Sequence, residues 1–392
     1  MVMVIRTPTA PPPQSGRLPE AVADSFTHLF RRVAPHFGRR EVRQHAQDYL
    51  WGLLGDLPRK NGARLAVNAG LTSPDGLQRL LTTAVWGTDA VQGEVRDYLL
   101  RRLNEPDGVL VVGEGGFTKR GDRSAGVAEQ FNPCTGRIEN CQVAMFLSYA
   151  SDLGSALVDR MLFLPRPWAD DPVRRQLAGV PADVGFATKA ELTAMMLDRV
   201  VRAGAPFRWL VGGHGEHARS LKDYCEKRGI GYVLQVDRTE EQPGVGAIEE
   251  VIRLIPPDAF RRRIHGDVPS GLQSDWAVVE TGPGAPGFRR MLLVGRTVRA
   301  PSEVVLFDCH APDGTSLGHL VRAADQRFAT LECLLDARNR AGLDDYEVRK
   351  YGAWHRHVTL TLLVAGLLRI SAPNQALPSV RAPATLSRSG CS

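Results

Sequence analysis

Lysine is scarce in this chain: of 49 basic residues only six are Lys, leaving 43 Arg. Arginine favours bidentate contact with phosphate, although the codon preference of a GC-rich genome produces the same bias. With a net charge of only +6, composition alone is a weak pointer to nucleic acid. Long apolar runs are also missing. No stretch of about 18 apolar residues exists, so no helical membrane span is expected. The opening "MVMVIRTPTAPPPQSG" lacks the apolar core and small-residue cleavage site of a signal peptide, which makes a cytoplasmic location the expectation. The six cysteines (134, 141, 225, 309, 333 and 391) form no C-x-x-C pair. That argues against a zinc ribbon or disulfide framework and for reduced, partly buried thiols.

What is present suits a globular protein of two or three domains: 392 residues, 43% apolar and 23% charged. Residues 1–20 and 372–392 are rich in Pro, Ser and Ala and read as disordered tails. Residues 21–104 have helical periodicity, with Phe26, Leu29, Phe30 and Val33 on one stripe. Over 21–103, 12 Arg/Lys stand against 8 Asp/Glu, so charge is concentrated there. Within it "GARLAVNAGLTSPDGLQRLLTTAVW" reads as two short helices joined at "TSPDG", with Ser73 or Asp75 as cap and Pro74 in the first turn. Such a pair is either an ordinary helical hairpin or a helix-turn-helix whose second helix, near Leu77 to Trp86, enters a major groove.

Residues 105–236 read as mixed. Strands are expected at 108–112, 125–131, 141–149, 157–164, 207–211 and 231–236, and helices at 189–203 and 217–228. Residues 237–320 form a β-rich insertion, and 321–371 return to helix. The fold class is therefore α/β, a mixed sheet with flanking helices, a helical N-terminal region and the insertion.

In "DGVLVVGEGGF" (107–117) an apolar strand is expected to stop at Gly113, and "FRWLVGGHGEH" ends a second strand at Gly212 and Gly213. Ends of neighbouring strands are where α/β enzymes place reactive groups, yet both carry glycine. Other constellations are weaker. His214 and His217 with Glu216 would need a third metal ligand, such as His310, His355 or His357, and a polar turn is the plainer reading. "GEGG" does not match the G-x-G-x-x-G phosphate cradle. Trp51, Trp168 and Trp209 read as core residues.

The strings "DGVLVVGEGGFTKRG", "RSAGVAEQF", "TGRIENCQVAMFLSYA", "FLPRPWADD", "AGVPADVGFATKAEL" and "GLDDYEVRKYGAWHRHVTL" together resemble the DDE transposases of bacterial insertion sequences. The resemblance covers roughly residues 25–370. It implies an RNase H-like core over 105–236 completed by helices in 321–371. It also implies three carboxylates holding two Mg2+ ions that activate the attacking oxygen and stabilise the leaving one. Position by position, those acids fall on Gly113, Gly213 and Leu331, with Arg327 and Arg338 as the basic residues flanking the third. Glu114, Glu216, Glu332 and Glu347 are the nearest substitutes. Glu114 should point to the opposite sheet face, and Glu332 is rotated by roughly 100° on its helix.

With no acid intact, no metal cofactor is expected. The leading expectation is a transposase-like, nucleoid-associated protein that acts through double-stranded DNA without cutting it. Lys119, Arg120, Arg123, Arg327, Arg338, Arg349, Lys350 and Arg356 are the candidate phosphate contacts. A homodimer is an expectation from the resemblance alone. The alternatives are a working DDE transposase with displaced acids, a protein-recruiting scaffold, and a decayed remnant.

Overall fold

The computed structural model describes residues 19–212, 216–239, 241–242, 246–264, 273–298 and 300–371. The expected tails thus lie outside the described residues, apart from Pro19 and Glu20. In chain order the elements begin with five helices: α1 (Glu20–Val33), α2 (Arg40–Leu54), α3 (Gly62–Asn68), α4 (Asp75–Thr82) and α5 (Thr88–Arg102). Next come β1 (Val109–Thr118), β2 (Ala128–Asn132), β3 (Arg137–Ser151) and β4 (Gly154–Leu162). These are followed by α6 (Arg166–Ala169), α7 (Pro172–Ala178), α8 (Lys189–Arg202), β5 (Trp209–Gly212), α9 (Glu216–Glu226) and β6 (Gly231–Val236). Then come β7 (Glu241–Gln242), β8 (Gly246–Ala247), α10 (Ile248–Leu254), β9 (Arg261–Ile264), β10 (Gln273–Pro283), β11 (Phe288–Thr297) and β12 (Ala300–Pro312). Helices α11 (Leu317–Asp325), α12 (Ala329–Ala341) and α13 (Tyr351–Ser371) complete the chain.

The sheet is mixed, with helices packed on its faces. Strands β1, β3 and β4 form an antiparallel meander, and β5 and β6 add in parallel beside β1. Strand β3 is 15 residues long, so one of its edges holds both β2 and β4. The β-rich stretch expected over 237–320 does not stand apart: β12 pairs antiparallel with β6, and β11, β10 and β9 continue outward to give ten strands. The ladder groups of β6 are thereby satisfied instead of being left at an open edge.

Alternation along the strands sends each side chain to one of two layers. Val109, Val111, Val211, Val233 and Phe307 pack with Leu320, Val321 and Ala329 on one face. Leu110, Val112, Leu210 and Leu234 face the layer that holds Met196, Leu197 and Val200 of α8 and Leu221 of α9. Helix α8 starts where it does because Thr188 and Glu191 make a reciprocal capping box.

Helix α13 is apolar all round and buried from Tyr351 to Leu368 with few interruptions, as a helix enclosed by others must be. It packs against β4, α12, α5, α4, α1 and α2, so it joins the N-terminal helices to the sheet. Gly366 permits a close approach to α5, since a Cβ there would meet Leu99 Cδ1 at 2.8 Å. No helix among the described residues is long and apolar enough to cross a membrane.

The second helix of the suggested helix-turn-helix stops at Thr82, short of Trp86. Trp86 is buried and donates from Nε1 to Leu80 O at 2.8 Å. Leu77, Leu80 and Leu81 of α4 are buried too, while Asp75, Gln78, Arg79 and Thr82 form its exposed face. The three tryptophans read as core, Trp51, Trp168 and Trp209, are all buried.

Two polar groups inside this packing carry charge consequences. Asp159 of β4 is fully buried, accepts from Arg199 Nε of α8 at 2.6 Å, and lies 3.7 Å from Arg160. Arg160 in turn donates to Thr359 of α13 at 2.7 Å, so one ion cluster ties β4 to both helices. His357 of α13 is also fully buried. Its Nε2 faces Leu343 O at 3.2 Å and its Nδ1 lies 2.8 Å from the Tyr49 hydroxyl. A carbonyl can only accept, so Nε2 carries the ring proton and Nδ1 accepts a hydrogen bond from the Tyr49 hydroxyl.

Burial holds the His357 pKa down at about 4, and the charge of Lys119 acts in the same direction. His355, half-buried beside Arg160 and Arg199, is likewise pushed well below its usual value by desolvation. The folded values lie below the unfolded one near 6.5. Protonation therefore favours the unfolded chain, and stability is lost as pH falls through 6.5 toward 4. Each histidine contributes a slope of at most about 1.4 kcal/mol per pH unit. Equilibrium denaturation at pH 7, 6 and 5 should show that decline, and His357→Gln should flatten it. A profile unchanged by His357→Gln would contradict the buried neutral assignment.

Candidate functional site

Strand β1 does not end at Gly113 but continues to Thr118, a correction to the sequence reading. Gly113, Glu114, Gly115 and Gly116 remain paired with Phe146, Met145, Ala144 and Val143 of β3. What does stop here is the parallel pairing to β5, whose last partner on β1 is Val111. The pairing to β5 has thus already ended before Gly113 is reached.

Helix α12 lies across this stretch. A Cβ at Gly113 would sit 2.7 Å from Thr330 Cγ2 and 3.0 Å from Thr330 Cβ, closer than side chains tolerate. The Thr330 hydroxyl donates to Val111 O at 2.7 Å and lies 2.6 Å from Ser148 Oγ of β3. One turn on, Leu334 faces Gly115. The residue set against Gly113 is thus Thr330, while Leu331 points outward and is 38% exposed. Gly212, at φ +122, is equally confined, because a Cβ there would meet Val112 O at 2.6 Å. Gly213 and His214 lie outside the described residues, and Glu216 and His217 enter only as backbone of α9.

The possible substitute acids are dispersed. Glu114 turns to the α8 face, where Lys189 Nζ holds it at 2.5 Å. Glu332 is exposed, with Arg369 4.0 Å away. Glu347 is exposed and accepts from Arg59 at 3.2 Å and from Asn61 at 3.1 Å. Divalent ions of the Mg2+ type need carboxylate oxygens. Glycine, threonine and serine supply none around Gly113, and among the described residues no group of three His, Cys, Asp or Glu could hold a metal. The described residues do not fit a two-metal centre.

The basic residues sort into two sets. Arg327 is largely enclosed, donates to Ala324 O and stacks over Phe328 at 4.3 Å. Arg356 donates to Leu81 O and lies over Trp86. Arg338 donates to Gly116 O at 2.9 Å and pairs with Asp344. Lys119 sits 3.6 Å above the Tyr346 ring, and burial lowers its pKa to about 8. Arg338 and Lys119 line a cavity of about 300 Å³ with Thr118, Asn132, Cys134 and Asp344.

The other four, Arg120, Arg123, Arg349 and Lys350, are exposed. Although 226 positions separate Arg123 from Arg349 in sequence, the Ala125 amide donates to Arg349 O at 2.9 Å and joins the two segments. A third segment, overlooked in the sequence, belongs with them. Helix α7 brings Arg174, whose guanidinium donates to Asp122 O at 3.2 Å, and receives Lys350 at Leu177 O. Its signal was legible in "DDPVRRQLAG": Asp171 caps, Pro172 takes the first turn, and Gly179 closes the helix at φ +65.

A model described as DDE superfamily endonuclease matches residues 32–242, more than half of the chain. The protein therefore belongs to the DDE superfamily endonuclease family. It is also similar to the probable transposase for insertion sequence element IS701 of Microchaete diplosiphon, at 22% identity over 187 residues. That match takes in 47% of this chain and 46% of the relative, so the chain spans less than half the length of the curated relative. Among solved structures, the NurA nuclease of Sulfolobus solfataricus aligns with 60% of this chain and 79% of its own, at 9% identity and a TM-score of 0.27. So loose a superposition carries no argument.

The contact between Gly113 and Thr330 has a measurable consequence. Gly113→Ala should cost about 1–3 kcal/mol through overpacking. In a Thr330→Ala background, which removes the methyl at 2.7 Å, much of that cost should vanish, giving a coupling of about 1 kcal/mol in a double-mutant cycle. Additive losses by chemical denaturation would contradict the contact.

Proposed function

We propose that this protein is a transposase-fold DNA-binding protein that neither cuts nor joins strands. The reading is carried by one observation: where the family resemblance expects the first metal-binding aspartate, Gly113 has Thr330 packed against its backbone. Phosphodiester chemistry by two metals needs an anionic cradle to retain them, and the acids near this strand are engaged elsewhere, Glu114 with Lys189 above all. DNA binding is supported by family membership and by the convergence of Arg120, Arg123, Arg349 and Lys350 on one exposed surface. Cations so placed contact backbone phosphates and give affinity that falls steeply with salt. Such a protein occupies DNA, including transposon ends, without processing it.

The purified full chain should bind duplex DNA with an affinity that drops markedly between 50 and 200 mM salt (roughly a hundredfold or more for several phosphate contacts). It should leave supercoiled and terminal-repeat DNA intact with Mg2+ or Mn2+. Cation-dependent nicking or strand transfer would contradict the first half of the proposal, and salt-insensitive or absent binding the second.

A further inference from the structure

Helix α7 leaves two large apolar side chains in solvent, Val173 at 63% and Leu177 at 68% exposure. At i and i+4 they share one face, and Pro172 beside them is exposed as well. Water is a poor environment for such a pair, so a partner is indicated. The surroundings say which. Over residues 119–124, 166–178 and 349–350, eight Arg and Lys stand against three Asp. One of the three, Asp171, is engaged as the helix cap, accepting from the amides of Val173 and Arg174.

The patch is also rigidly held. Arg174 stacks over Trp168 at 4.1 Å and Arg166 over Phe186 at 4.2 Å. Trp168 is buried and anchored by a hydrogen bond from Nε1 to Val127 O at 2.6 Å. Hydrogen bonds from Arg174 to Asp122 O and from Lys350 to Leu177 O lock α7 to the cationic loop and to the segment before α13.

A fixed apolar pair rimmed by cations matches the chemistry of a wedge that enters between base steps while the rim holds the flanking phosphates. We infer that Val173 and Leu177 of α7 form an intercalating wedge that makes this protein prefer bent or locally unstacked duplex DNA. The inference rests on the DNA-binding reading above and adds how the duplex is engaged. A protein partner is less well matched, because the apolar area is small and the charge around it is predominantly positive.

Fluorescence anisotropy of the full chain with a linear duplex and with the same duplex carrying a two-nucleotide bulge tests this. A bulge has already met part of the unstacking cost, so the unaltered protein should bind it about tenfold more tightly. In the V173S/L177S variant the preference should fall to about twofold or less while linear duplex is still bound. The R120Q/R123Q/R349Q variant should weaken both duplexes together. Should the Ser pair melt early by circular dichroism, V173A/L177A, which retains helix propensity, gives the same readout.

Equal binding of the two duplexes by the unaltered protein, or a preference that survives loss of both apolar side chains, overturns the wedge and leaves DNA binding standing. No binding to either duplex overturns the DNA-binding reading and the wedge with it. Self-association in sedimentation without DNA that disappears in V173S/L177S assigns the patch to a second copy and also overturns the wedge.

Discussion

Thr330 rests against the backbone of Gly113 at a separation that leaves no room for a side chain. Its hydroxyl is spent on Val111 O and Ser148, so three elements, β1, β3 and α12, close on one another at this point. The register of α12 follows from it. With Thr330 fixed, Leu334 lies under Gly115 and Arg338 reaches Gly116 O, which sets the wall of the cavity and the position of the segment leading to α13. An acid at Gly113 would have to displace this packing before it could bind anything.

Electrostatics at the same end of the sheet is arranged differently from that at a metal centre. The negative charge closest to Gly113, Glu114, is neutralised by Lys189 on the other face, and the exposed cations gather beyond the end of β1. A surface of this sign attracts phosphate and offers little to hold a divalent ion against water. The buried ions of Asp159, Arg160 and Arg199 belong to the architecture, where an unpaired partner would be costly.

Much of the fold was legible because periodicity and caps were strong locally. Periodicity placed a helix at 189–203, where α8 runs from Lys189 to Arg202, and the apolar run "GYVLQV" gave β6 with the bounds it has in the structure. Strand β1 was misread at its end because glycines usually punctuate a strand, whereas pairing with β3 carries it five residues further. On α12 the residue set against Gly113 is Thr330, the neighbour of Leu331, to which the resemblance assigns the third acid. The joining of loop 119–127, α7 and Arg349 depends on hydrogen bonds between distant segments, for which no local pattern exists. Arg327 and Arg356 looked like free cations in sequence and are instead drawn onto carbonyls and rings.

Whether the closed Gly113–Thr330 contact excludes a metal centre is tested most directly by titrating the unaltered protein with Mn2+ and following the free ion by electron paramagnetic resonance. A chain whose strand carries no anionic cradle leaves the Mn2+ signal that of the hydrated ion throughout the titration. Saturable loss of that signal at two ions per chain would contradict the account.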